Sequence, residues 1–227
     1  MRTGGHDTGI AKSFLVAPQR IPPDMAERVE PVDREQRLDQ HVDDEIAAAV
    51  ERLDSLVLSP GVPVANPHVR RAIERALYQV LPGAVSRRDF ILSDAGVSSA
   101  ETAPDAAGTL LYAGYDADGR LVGVALEAAA QGYQDVIRVL YGFDPACQCI
   151  RGVQVLKMAE TPGIGDKIAK DPEFLRNFEA LDARPDDAGG GLANAIVSVK
   201  AGSKTEPWQI DSISGATISS RAVDEMV

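Results

Sequence analysis

Cationic charge is in short supply in this chain: 23 Lys and Arg stand against 34 Asp and Glu over 227 residues, a formal net charge of −11. Non-specific nucleic-acid affinity comes mainly from cationic contacts to phosphates, so the balance argues against a nucleic-acid partner. Long apolar runs are missing too. Nothing approaches the roughly 18 consecutive apolar residues a membrane-spanning helix requires, and the segment Asp24 to Asp54 is polar. Met1 to Pro23 has no basic start leading into an apolar core, so it does not read as a signal peptide. Cysteine is limited to Cys147 and Cys149, a lone C-x-C with too few ligands for a zinc or iron–sulfur centre of its own. It reads as local variation at a hairpin turn, with an intersubunit metal site or a redox pair as the alternatives. The three histidines, His6, His41 and His68, are scattered and suggest neither a metal triad nor a Ser-His-Asp relay. Also lacking are a G-x-G-x-x-G after a first strand, a Walker loop and a G-x-S-x-G elbow, so neither dinucleotide binding nor serine hydrolysis is supported.

What is present divides into three regions. Residues 1–40 are rich in Pro, Gly and charge with little periodicity, and read as an extended arm or linker. Residues 41–84 form a helical lead-in. Val42, Ile46, Ala49, Val50, Leu53 and Leu56 recur at helical spacing, and a second helix opens after Asn66-Pro67 and stops at Leu81-Pro82-Gly83. Residues 85–227 turn to strand patterns. Thr109 to Tyr115 and Leu121 to Glu127 flank the turn Asp116-Ala117-Asp118-Gly119, and Asp135 to Gly142 with Cys149 to Lys157 make a second pair. A short helix opens at Pro172, a polar loop covers Asp182 to Gly191, and Ala195 to Lys200 reads as a last strand. The expected class is α+β: an antiparallel meander flanked by helices.

Near the C-terminus, Asp211-Ser212-Ile213-Ser214-Gly215-Ala216-Thr217-Ile218-Ser219-Ser220 packs small hydroxyl residues around one glycine just before a helix start. Such a place offers open backbone N–H groups and the positive end of a helix dipole to a phosphate. The plainer alternative is a helix N-cap supplied by Ser214 or Thr217.

Some fifty residues upstream lies Glu160-Thr161-Pro162-Gly163-Ile164-Gly165-Asp166-Lys167-Ile168. With Ser214-Gly215-Ala216-Thr217 it resembles the covalent-FMN-binding domain of the G subunit of Rnf electron-transport complexes and the C subunit of sodium-translocating NADH:quinone oxidoreductases. Gln131-Gly132-Tyr133, the run Val136 to Asp144, and the run Ile150 to Leu156 follow the Rnf pattern in order, so the likeness spans residues 70–227.

The resemblance implies that Thr217 is esterified through its side-chain oxygen to the phosphate of FMN, installed from FAD by a dedicated flavin transferase. Attack by a threonine hydroxyl on a phosphoanhydride needs a metal and a base, which that transferase would supply. On this pattern Ser214, Gly215, Ala216 and Ser219 belong to the acceptor site, Gly215 and Ala216 keeping the loop thin. Asp211 matches the acidic residue at the start of the motif and serves modification or loop positioning, or else is a simple turn carboxylate. Glu160, Thr161, Pro162, Gly163, Ile164 and Gly165 form the wall for the isoalloxazine ring, Gly163 and Gly165 permitting close backbone approach and Ile164 replacing the leucine more usual in the family. Tyr133 and Trp208 are the aromatics placed nearest the cofactor. The function so implied is an electron-carrier subunit, not a stand-alone enzyme, working within a membrane-associated redox complex on its periplasmic face, with no catalytic or metal-binding residue of its own. Family members carry an N-terminal membrane helix that this sequence does not show. The anchor therefore lies outside this sequence, or the chain attaches through a partner, or it is soluble. The competing reading is a non-redox interaction or scaffold subunit that keeps the fold.

Overall fold

The computed structural model describes residues 45–49, 67–94, 96–102, 107–187 and 191–227. The chain separates into two units, Met1–Arg37 and Leu38–Val227, and every described residue lies in the second. The arm expected over 1–40, and the helix expected from Val42 to Leu56 apart from 45–49, fall outside the described residues. Residues 45–49 are helical, with Ile46 and Ala49 buried.

Seven strands form one antiparallel sheet. These are β1 (Ser86–Ser93), β2 (Gly96–Ser99), β3 (Thr109–Tyr115), β4 (Leu121–Gln131), β5 (Val136–Asp144), β6 (Cys149–Lys157) and β7 (Leu181–Asp182), in the order β2-β1-β3-β4-β5-β6-β7. The β3–β4 turn forms because the Asp116 carboxylate accepts the N–H groups of Asp118 and Arg120, both at 2.9 Å, while Gly119 supplies φ +77°. A second, two-stranded sheet pairs β8 (Val197–Val199) and β9 (Gln209–Asp211) in parallel. Helices α1 (Pro67–Val80), α2 (Pro172–Leu175) and α3 (Thr217–Asp224) complete the order, with 3₁₀ turns at Gly165–Ala169 and Arg176–Phe178. The fold is the α+β arrangement expected. Its first two strands, β7 and β9 carry no clear alternation in the sequence and go beyond that expectation.

Strand side chains alternate between faces, and both faces of this sheet are covered. On one face α1 lays Ile73, Leu77 and Val80, with Leu81 beyond its end, against Tyr112, Ala125 and Leu140. It comes this close because Gly114, Gly123, Gly142 and Gly152 line that stretch of the sheet. A Cβ on Gly142 would lie 2.2 Å from the Val80 carbonyl oxygen, and one on Gly114 2.9 Å from Leu81 Cδ1. The other face carries the larger core, with Leu111, Val124, Leu126, Val139, Tyr141 and Phe143 packed among Phe174, Phe178, Ile210 and Val223. Phe174 and Phe178 meet edge to face at 5.4 Å. Two-sided burial explains the nearly continuous apolar runs of β3 to β5.

Because β5 and β6 are antiparallel, the residues just before β5 and just after β6 lie at one end of the hairpin. That end, residues 131–135 and 158–166, faces the start of α3.

Candidate functional site

Glu160 ties this region together. It is 6% exposed, and one carboxylate oxygen accepts the hydroxyl of Ser219, a residue 1% exposed in the first turn of α3. The other accepts the Gln134 N–H at 3.0 Å, and the N–H groups of Tyr133 and Asp135 also point to the carboxylate. Burial alone pushes this carboxyl up. The Ser219 hydroxyl and the three main-chain donors more than offset it, holding the group below its ordinary value. Two glycines make room. A Cβ on Gly132 would stand 2.5 Å from Glu160 Oε1, and one on Gly165 would stand 2.8 Å from Oε2 and 3.0 Å from Ser219 Oγ. The sequence groups Glu160 with an apolar wall; the structure turns it inward as an anionic clamp.

The rest of that segment is a surface turn. Ile164 and Asp166 donate their N–H groups to the Thr161 carbonyl at 3.1 and 3.3 Å, and the Gly163 N–H, at φ +76°, donates to Asp166 Oδ1 at 2.7 Å. Gln134 Nε2 reaches Thr161 Oγ1 at 3.0 Å, joining the turn to the loop before β5. Pro162 and Gly163 are exposed. Three large apolar side chains are left exposed on the three segments that Glu160 joins: Tyr133 at 66%, Ile164 at 48% and Ile218 at 53%. Tyr133 and Ile218 are sequence neighbours of groups that bond the clamp, and Ile164 adjoins Gly165, which packs against it.

The acceptor segment leaves β9 at Asp211. Asp211 Oδ1 accepts the N–H groups of Ser203 and Lys204, both at 3.0 Å, so its carboxylate shapes the preceding turn. Its main chain is held by Asn177, which is buried: Asn177 Oδ1 accepts the Asp211 N–H at 3.0 Å and Nδ2 donates to the Asp211 carbonyl at 3.3 Å. Lys204 Nζ also donates to Asn177 Oδ1, at 3.3 Å, and burial pulls this amine below its usual range against the pull of Asp211. Beyond Asp211, the Ser212 N–H donates to the Val199 carbonyl at 2.9 Å and the Ile213 N–H to Ser220 Oγ at 3.0 Å. Gly215 then takes φ +84° with open space around it.

Neither Ser214 nor Thr217 caps α3. The N-cap is Ala216, with no side-chain hydrogen bond, and Thr217 is the first helical residue, exposed to solvent. An uncapped helix start leaves first-turn N–H groups for an outside acceptor. Thr217 lines a solvent-open cleft of about 340 Å³ with Ser212, Ser214, Gly215, Lys200 and Arg221. Arg221 lies four residues on from Thr217, on the same helix face, and α3 carries no acidic residue in its first turn. The Ser198 N–H donates to Asp224 at 2.6 Å and fixes β8, hence Lys200, to the far end of α3.

Of the residues singled out in the sequence, Ser214, Gly215, Ala216, Thr217 and Ser219 come together around the start of α3, and Glu160, Thr161, Gly163 and Ile164 stand beside them through the Ser219–Glu160 bond. Among the described residues no hydrogen bond ties Trp208 to this group. It precedes β9 and accepts the Val197 N–H through its carbonyl, at the end of that strand opposite the acceptor segment. Sequence reasoning passes over Gln134, Asn177, Lys200 and Arg221. Gly165 is read from the sequence as a point of close approach to a flat ring; the space beside it, like that beside Gly132, is taken by the Glu160 carboxylate.

Residues 132–227 match the model of the FMN-binding domain family. Among particular proteins, this chain is similar to the G subunit of the ion-translocating oxidoreductase complex of Methanosarcina acetivorans, 38% identical over 114 residues, covering 50% of this chain and 52% of that protein. The corresponding protein of the same name from Pasteurella multocida is 37% identical over 100 residues, 44% of each chain. The chain spans about half the length of the curated relatives it matches. The crystal structure of NqrC from Shewanella oneidensis shares the fold, with TM-score 0.50 and 21% identity, covering 82% of this chain and 90% of that one. Among the described residues no helix is long and apolar enough to cross a membrane.

Proposed function

We propose that this chain is an electron-carrier subunit that holds FMN through a phosphoester on Thr217 and serves an Rnf-type ion-translocating oxidoreductase complex at the periplasmic face of a membrane. A flavin transferase would attach the cofactor. The observation that carries the reading is the free hydroxyl of Thr217. It stands exposed at an uncapped helix start, on the rim of a cleft flanked by Lys200 and Arg221.

The residues present fit the group. Lys200, Arg221 and the first-turn N–H groups of α3 supply positive charge where a phosphodiester needs it. Tyr133, Ile164 and Ile218 supply exposed apolar surface on three segments that Glu160 holds together, the kind of surface a flat aromatic ring covers. Ser214, Gly215 and Ala216 keep the acceptor loop thin, and Asp211, through Ser203, Lys204 and Asn177, fixes where that loop begins. FMN supplies the capacity to take up and release electrons singly or in pairs. This chain's residues anchor it, shield one side of it and neutralise its phosphate. A cofactor tethered by a covalent bond stays with the protein while its pocket opens toward successive partners.

The test is an intact-mass measurement on protein produced beside an active flavin transferase. One FMN should be added, the yellow colour should survive denaturation, and Thr217→Ala should carry no added mass while keeping the same circular dichroism spectrum. A colourless wild-type product under those conditions would overturn the reading and favour a scaffold role. Full mass gain in Thr217→Ala would move the attachment elsewhere.

A further inference from the structure

At the other end of the β5–β6 hairpin, Cys147 and Cys149 are joined in a disulfide that encloses one intervening residue. Strand β5 has nine residues, so on the order of 25 Å of strand rise separates this bond from the Glu160 region. The two sulfurs differ in access: Cys147 is exposed at the turn, whereas Cys149 is 5% exposed and starts β6. Among the described residues no third ligand accompanies them that would make a metal site.

The turn does not depend on this bond. Asp144 Oδ1 accepts the Ala146 N–H at 2.8 Å, Asp144 pairs with Cys149 across the hairpin, and Cys149 pairs with Asp182 of β7. The Ala183 N–H donates to the Gln148 carbonyl at 3.1 Å. A cross-link closing so short a loop removes little freedom from the unfolded chain, so it is a poor structural staple. Gln148, inside the closed ring, holds φ +53°, the only non-glycine residue at positive φ among those described. A side chain there is disfavoured. A disulfide with one exposed sulfur around a disfavoured backbone, in a turn held by other bonds, has the character of a labile couple.

We propose that Cys147–Cys149 is a reversible thiol–disulfide exchange site for an external dithiol. A donor thiolate attacks Sγ of Cys147, the S–S bond breaks, and its electron pair leaves on Sγ of Cys149, which takes up a proton. The donor's second thiolate then attacks the donor sulfur in the mixed disulfide, releasing Cys147, which is protonated in turn. The pair gains two electrons and two protons, and the donor leaves as a disulfide. The reverse sequence, with a donor disulfide as oxidant, closes the ring again. Reduced, Cys149 stays packed in the sheet and Cys147 is the thiol open to modification.

The full chain is equilibrated with reduced and oxidised glutathione in varied ratio, or with dithiothreitol, then alkylated and weighed. The pair should open in native buffer with both reagents, with unchanged circular dichroism. Opening only in denaturant, or together with loss of folded signal, would overturn the proposal. With oxidised glutathione, Cys149→Ser should form the mixed disulfide roughly tenfold or more faster than Cys147→Ser, because the remaining sulfur is exposed in the first and buried in the second. Equal rates would refute Cys147 as the attacked atom. The wild-type titration decides the matter independently if either variant fails to fold.

Discussion

Replacing Glu160 with Gln tests whether one buried carboxylate holds three segments of the site in place. The group accepts hydrogen bonds from the Ser219 hydroxyl and the Gln134 N–H, with the N–H groups of Tyr133 and Asp135 oriented to favour its charge. Hydrogen bonds to an ionised acceptor are about twice as strong as neutral ones, so each is worth roughly 0.5–1 kcal/mol more than its amide counterpart. Two such bonds come to about 1–2 kcal/mol. The cost of burying the charge, which Gln avoids, brings the expected net loss to about 1 kcal/mol at pH 7. The pH dependence follows from the depressed carboxyl. A carboxylate whose folded value lies below its unfolded one stabilises the fold fully above the unfolded value, near 4.5, and loses that contribution as pH falls through the lower folded value. Gln cannot titrate. Urea unfolding from pH 7 to 3 should therefore show wild type ahead at neutral pH and the gap closing below about pH 4.5. A gap that is independent of pH, or absent at pH 7, would refute the clamp.

Gly165→Ala should cost about 1–3 kcal/mol by thermal or urea unfolding, since its Cβ would meet Glu160 and Ser219 at 2.8–3.0 Å. Gly163→Ala, at positive φ in open space, should cost only about 1 kcal/mol. Asn177→Ala removes both bonds to the Asp211 main chain and should cost about 2–3 kcal/mol; an effect below about 0.5 kcal/mol would mean β9 is held by packing alone. Glu127 gives a pH dependence of opposite sign. Burial raises its carboxyl against the Tyr112 bond and the Arg138 charge, so ionising it on the way up from acid destabilises the fold. Glu127→Gln should be the more stable protein at pH 7 and match wild type well below the ordinary carboxylate range, read from the same urea series.

The core strands were legible because they alternate or run apolar between clear turn signals. Thr109–Tyr115 and Cys149–Lys157 appear in the sequence with the bounds the structure gives them. Strand β1 was not legible, because Arg87, Arg88 and Asp89 interrupt it. Their place in a strand is decided by pairing with β3, from Ser86 opposite Tyr115 to Leu92 opposite Thr109. Strands β7 and β9 have two and three residues, too few for any period to emerge, and they exist because Ile150 and Ser198 lie beside them.

The site divides in the same way. By itself the sequence determined the loop of small residues before α3, the Pro-Gly turn after β6 and the order of the strands between, because φ preference, turn chemistry and periodicity are local properties of consecutive residues. Only the tertiary structure decided that Glu160 turns inward to Ser219, 59 positions away, and that Asn177 grips Asp211, 34 positions away. A buried carboxylate and an exposed one have the same letter in a sequence. What separates them is the set of donors the fold brings within hydrogen-bond reach.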